Sequence, residues 1–103
     1  MHYHLIVHRD DVYMTKHDRG VSPEFRERAH EVASTIDHLI ENMAEEIVLE
    51  IPKGRDPCAI PPCVEEGDSV TLYGAFHGSC LSGTQMSLML KGIESEYHPD
   101  GFL

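Results

Sequence analysis

Apolar and polar positions change their period along the chain, and each change marks an element. Residues 3–8, YHLIVH, form a short apolar run with a β-branched centre, the pattern of a strand buried on both faces. The chain then turns polar over Arg9, Asp10 and Asp11, and residues 14–22 read as a loop ending at Ser22. Ser22, Pro23 and Glu24 make a helix start: a hydroxyl N-cap, a proline whose missing N–H is not needed, and an acid at the positive end of the dipole. From there Phe25, Ala29, Val32, Ala33, Ile36, Leu39, Ile40 and Met43 recur at steps of three and four, predicting one apolar helix face about five turns long.

Residues 45–51, EEIVLEI, predict a second strand stopped by Pro52. Three prolines and two glycines make residues 54–68 a connecting loop. Residues 69–76, SVTLYGAF, predict a third strand, and a helical pattern follows from Leu81 to Lys91, with Leu81, Thr84, Leu88 and Met89 inward and Gly92 as its C-terminal cap. The tail predicts a short fourth strand before a Pro-Asp-Gly turn. This order predicts a single α/β domain over residues 1–103, a small three-layer arrangement with a mostly parallel sheet of three to four strands.

Composition narrows the function classes. The chain has 18 acidic against 8 basic side chains, a formal net charge of −10, and no basic stripe, a field that repels phosphate backbones; nucleic acid is not expected as a partner. No apolar run approaches the roughly 18 residues a membrane span needs. The first residues carry no small-residue cleavage pattern, so the expectation is a cytoplasmic chain. Three cysteines, an odd number, argue for reduced thiols. Eight histidines could offset much of the negative charge as pH falls, although solvated surface histidines are the plainer reading.

In parallel sheets ligands sit beyond the carboxyl ends of the strands. Three segments converge there: Arg9-Asp10-Asp11, Pro52-Lys53-Gly54 and His77-Gly78-Ser79-Cys80. Cys80 stands where a strand hands over to a helix, so unpaired N–H groups and the helix dipole favour its thiolate. The same N–H groups could hold an oxyanion, Asp10 or Asp11 could move the thiol proton, and Lys53 would supply fixed positive charge. His77, Gly78, Ser79 and Thr84 are the candidate substrate-binding residues. Packing alone also explains a cysteine among small residues, an exposed acidic turn explains Asp10 and Asp11, and a solvated position explains Lys53. Met86 and Met89 read as core filling.

Residues 69–93, SVTLYGAFHGSCLSGTQMSLMLKGI, resemble the cysteine segment of the isochorismatase-like hydrolases, the superfamily that includes nicotinamidases. Gly74, Cys80, Thr84 and Gly92 take the places of that family's turn glycine, cysteine, following threonine and helix-ending glycine. The resemblance implies a three-layer α/β fold and hydrolysis of a small amide or related bond, with Cys80 as nucleophile, Lys53 as the lysine, and an aspartate after the first strand. In the family that aspartate directly follows the apolar run; here His8 holds that place, and Asp10 and Asp11 come after it.

The acidic-histidine metal motif of nicotinamidases is absent, and no cofactor is expected. Cys58 and Cys63, spaced C-x4-C, read as two reduced cysteines in a proline-rich loop, with zinc as the alternative. The expected partner is a small-molecule substrate. A chain this short has little surface to wall a closed pocket, so a homodimer could complete it. The alternative to a hydrolase is a noncatalytic α/β module that binds a metabolite or another protein.

Overall fold

The computed structural model describes residues 1–103. Strands β1 (His2–Val7), β2 (Val48–Ile51), β3 (Ser69–Gly74) and β4 (Glu94–Phe102) form one sheet in the order β2-β1-β3-β4, with every neighbouring pair parallel. Helices α1 (Arg9–Thr15) and α2 (Pro23–Asn42) lie between β1 and β2 in sequence, and α3 (Cys80–Leu90) lies between β3 and β4.

Alternation along the strands sends successive side chains to opposite layers. Tyr3, Leu5 and Val7 of β1 and Val70 and Leu72 of β3 pack with Leu81 and Leu88 of α3, and the loop residues Ile60 and Val64 complete that layer. Ile6 and Tyr73 face the other way, against Val12 of α1 and Ala29, Val32, Ala33, Ile36 and Leu39 of α2. Two helical layers around a parallel sheet give the expected three-layer α/β domain.

Helix α2 begins as the sequence predicts: Ser22 Oγ accepts from the Phe25 N–H at 3.2 Å, with Pro23 at the first helical position. Its inward stripe is narrower than expected, because Phe25, Ile40 and Met43 remain 37%, 37% and 38% exposed at the rim. The polar run after β1 is a helix rather than a turn. Two acids stand in the first turn of α1, Val12 and Thr15 are buried on its inner side, and Thr15 Oγ1 donates to Asp11 O at 2.7 Å.

Other boundaries shift for local reasons. Residues Glu45–Ile47 form a 3-10 turn, so β2 starts at Val48. Helix α3 starts at Cys80 itself. Met86 and Met89 are surface residues, 56% and 64% exposed, because only the Leu81, Thr84 and Leu88 side of α3 meets the sheet. The Pro-Asp-Gly segment does not end β4; it is looped out as an irregularity between the Leu72–Tyr97 and Gly74–Phe102 pairings, after which pairing resumes.

The chain leaves β1 through helices on one face and leaves β3 through a helix on the other. The carboxyl ends of these adjacent strands are therefore the topological switch point, the place where an open α/β sheet leaves a crevice. The two strands approach closely there. A Cβ on Gly74, whose φ is +112°, would stand 1.9 Å from Val7 O.

Candidate functional site

His8, the first residue beyond β1, takes a left-handed conformation with φ 51° and is only 7% exposed. Its N–H donates to Ile51 O at 2.8 Å, tying the end of β1 to the end of β2. Its Nε2 lies 3.0 Å from Arg55 O, and a carbonyl can only accept, so Nε2 carries a proton. The other ring nitrogen, Nδ1, faces Asp11 Oδ2 at 3.8 Å.

Asp11 lies in the first turn of α1 and pairs through its other oxygen with Lys53 Nζ at 3.0 Å. Lys53 also lies 3.2 Å from Met14 Sδ, which rests its ammonium over α1. The side chains are 20% and 45% exposed, so the ion pair lies at the surface end of the crevice. Asp10 is exposed and makes no ion pair. Of the two acids weighed from the sequence, the structure joins Asp11 to Lys53.

Cys80 is the first residue of α3 and partly buried. The turn before it is tight: the N–H groups of Ser79 and Leu81 both donate to Phe76 O, at 3.0 and 3.1 Å. The N–H groups of Cys80 and Ser82 make no bond within the protein, leaving two donors at the helix start. Cys80 Sγ makes no hydrogen bond to Asp11, Lys53 or any other side chain.

The four candidate substrate-binding residues divide. Gly78 and Ser79 are exposed in the turn. His77 leans the other way, its ring 5.0 Å from that of Tyr97 and 5.4 Å from that of Phe102, and its N–H donates to Leu103 O at 2.7 Å. It therefore faces β4, on the flank opposite β2. Thr84 is fully buried, and its hydroxyl lies 2.6 Å from Pro57 O and 3.1 Å from Cys80 O, fastening the long loop to α3.

That loop contributes residues that the sequence reading did not place in the site. Arg55 supplies the carbonyl that holds His8, and Cys58 Sγ lies 3.7 Å from Gly83 O on the first turn of α3. The sequence marks His8 only by its position, as a histidine directly ending a buried apolar run. Cys58 and Cys63 are both exposed and unbridged, and no group of three or more His, Cys, Asp or Glu side chains is placed to hold a metal ion. None of the five main surface clefts is lined by Asp11, Lys53 or Cys80. No helix is long and apolar enough to cross a membrane.

Comparison with protein-family models, with curated proteins and with solved structures finds no match to this chain.

Proposed function

We propose that this chain is a small isochorismatase-like cysteine hydrolase that cleaves an amide or related bond of a small molecule. The observation that carries the reading is the 3.0 Å pair between Asp11 and Lys53 at the sheet end where Cys80 opens α3. Acid, base and nucleophile come from three different strand ends, as chemistry at a switch point requires.

In this reading Asp11 takes the Cys80 thiol proton as Sγ attacks the substrate carbonyl, and Lys53, 3.0 Å from Asp11 Oδ1, orients that carboxylate. The unpaired N–H groups of Cys80 and Ser82 take up the oxyanion. Collapse breaks the carbon–nitrogen bond, and the leaving amine departs with the proton held by Asp11. Water then attacks the thioester, giving its proton to Asp11, and the acid is released as that proton returns to sulfur.

Selective alkylation tests the proposal. Cys58 and Cys63 are more exposed than Cys80, so access alone makes Cys80 the slowest thiol to label. Faster iodoacetamide labelling of Cys80 near pH 7 is expected of a nucleophile whose proton Asp11 takes. Labelling in the order of exposure, with no turnover across an amide and ester panel, would overturn the hydrolase reading.

One observation favours the second reading, a noncatalytic binding module: none of the five main clefts includes Cys80, Asp11 or Lys53. That reading requires Cys80→Ser to leave ligand binding unchanged in a chain that turns nothing over.

A further inference from the structure

A second constellation lies on the α2 face of the sheet, away from Cys80. A cleft of about 660 Å³ is lined there by His4, His38, His98, Tyr73, Leu39 and Met43 among others, within the size range of small-molecule sites. In a chain of net charge −10, no Asp, Glu, Lys or Arg lines it. Its polar character comes from imidazoles.

The hydrogen bonds around these rings set their protons. The Asp100 backbone N–H donates to His98 Nδ1 at 3.1 Å, so the proton of the neutral ring is on Nε2. Asn42 Nδ2 donates to His38 O at 2.8 Å, which fixes the orientation of that amide, and lies 3.2 Å from His38 Nδ1. An amide nitrogen cannot accept, so His38 also carries its proton on Nε2. Tyr73 OH lies 2.9 Å from His4 Nδ1, a bond that either partner can donate. The Nε2 atoms of His4, His38 and His98 make no hydrogen bond to the protein.

We infer that this cleft binds a small monocarboxylic acid with an apolar body, its carboxylate taken by the Nε2–H donors of His38 and His98, with His4 lining the same cleft. Two imidazole donors without a protein acceptor suit an oxyanion. With no arginine or lysine lining the cleft, its neutral donors suit a singly charged carboxylate better than a doubly charged phosphate. Leu39, Met43 and the Tyr73 ring supply an apolar wall for the rest of the ligand. Glu96 acts on Tyr73 from β4 and Asp100 pairs with Arg28 at 3.9 Å; neither lines the cleft.

Long-range proton–nitrogen NMR of the imidazoles tests this on the intact chain at about pH 7.5, where unperturbed imidazoles are mostly neutral. Titration with benzoate is expected to shift His4, His38 and His98 together along one saturating curve, with His38 and His98 starting as Nε2–H tautomers. His38 is exposed, so His38→Ala leaves the core untouched and is expected to weaken benzoate about tenfold, the loss of one hydrogen bond to a charged group. Nδ1–H tautomers at His38 or His98, linear shifts without saturation, unchanged affinity in His38→Ala, or equal binding of inorganic phosphate would each overturn the assignment.

Discussion

Asp11 and Lys53 meet at 3.0 Å between Oδ1 and Nζ, joining the segments that follow β1 and β2. Both side chains keep contact with solvent, so the pair contributes at most about 1 kcal/mol to folding. Its larger consequence would be chemical. Asp11→Asn is expected to change stability by less than about 1 kcal/mol in urea denaturation while lowering hydrolytic turnover by about 10²–10⁴-fold, the range for loss of a general base. Equal turnover in the variant would remove Asp11 from the mechanism.

Thr84 joins two segments through one hydroxyl. Its side chain is fully buried and reaches both Pro57 O and Cys80 O. Thr84→Val keeps the shape but strips the donor from buried carbonyls, so a loss of about 1–2 kcal/mol is expected, with Thr84→Ser retaining part of it. The loss should be local as well as global: amides near Pro57 should exchange faster with solvent in Thr84→Val. Unaltered exchange there would show that the Thr84 hydroxyl does not hold the loop.

Two glycines with positive φ separate backbone conformation from crowding. Gly54 has φ +89° with nothing within 4 Å of an added Cβ, so Gly54→Ala is expected to cost only the about 1–2 kcal/mol of a left-handed conformation. At Gly74 the added Cβ would meet Val7 O at 1.9 Å, and the carbonyl cannot retreat without breaking the β1–β3 ladder. Gly74→Ala is expected to give no cooperatively folded protein by circular dichroism and thermal melting. A Gly74→Ala chain that melts like Gly54→Ala would contradict the strand spacing at the switch point.

The parts of this fold legible in the sequence are those whose signal is local and repeated. The Ser22-Pro23 start of α2, its buried positions from Ala29 to Leu39, and the apolar runs of β1 and β3 all lie where periodicity places them. Helix α1 escaped because seven residues offer only Val12 and Thr15 as buried positions, too few to show a period. Met89 was misplaced inward because α3 is apolar on both sides, so hydropathy could not distinguish its sheet face from its solvent face. The Lys53–Asp11 pair was legible as a convergence of strand ends. The role of His8 was not, because its partner is the backbone carbonyl of Arg55, and a carbonyl leaves no mark in sequence.

Tyr97 carries a hydroxyl that is buried without a hydrogen-bond partner, while its ring packs 5.1 Å from Phe102 and 5.0 Å from His77. Removing the oxygen keeps the ring contacts and ends the desolvation penalty. Tyr97→Phe is therefore expected to raise stability by about 1 kcal/mol in urea denaturation. A loss of comparable size would show that the hydroxyl has a partner after all, such as an ordered water.

His4 gives the fold a pH dependence with a definite sign. Burial lowers its pKa, and the neighbouring His2 and His98 lower it further. Tyr73 on β3 and His38 on α2 also border it across the cleft, and Glu96 acts on Tyr73 from β4. An imidazole whose folded pKa lies below the unfolded value of about 6.5 is charged more readily in the unfolded chain. Between those values the unfolded state binds more protons, so stability falls as pH drops through about 6.5 and levels off below the folded pKa. His4→Gln keeps a polar group and cannot titrate, so its stability is expected to fall less steeply than that of the wild type between about pH 7.5 and 5. Denaturation of both proteins across that range is the measurement, and parallel profiles would show that proton uptake at His4 does not oppose folding.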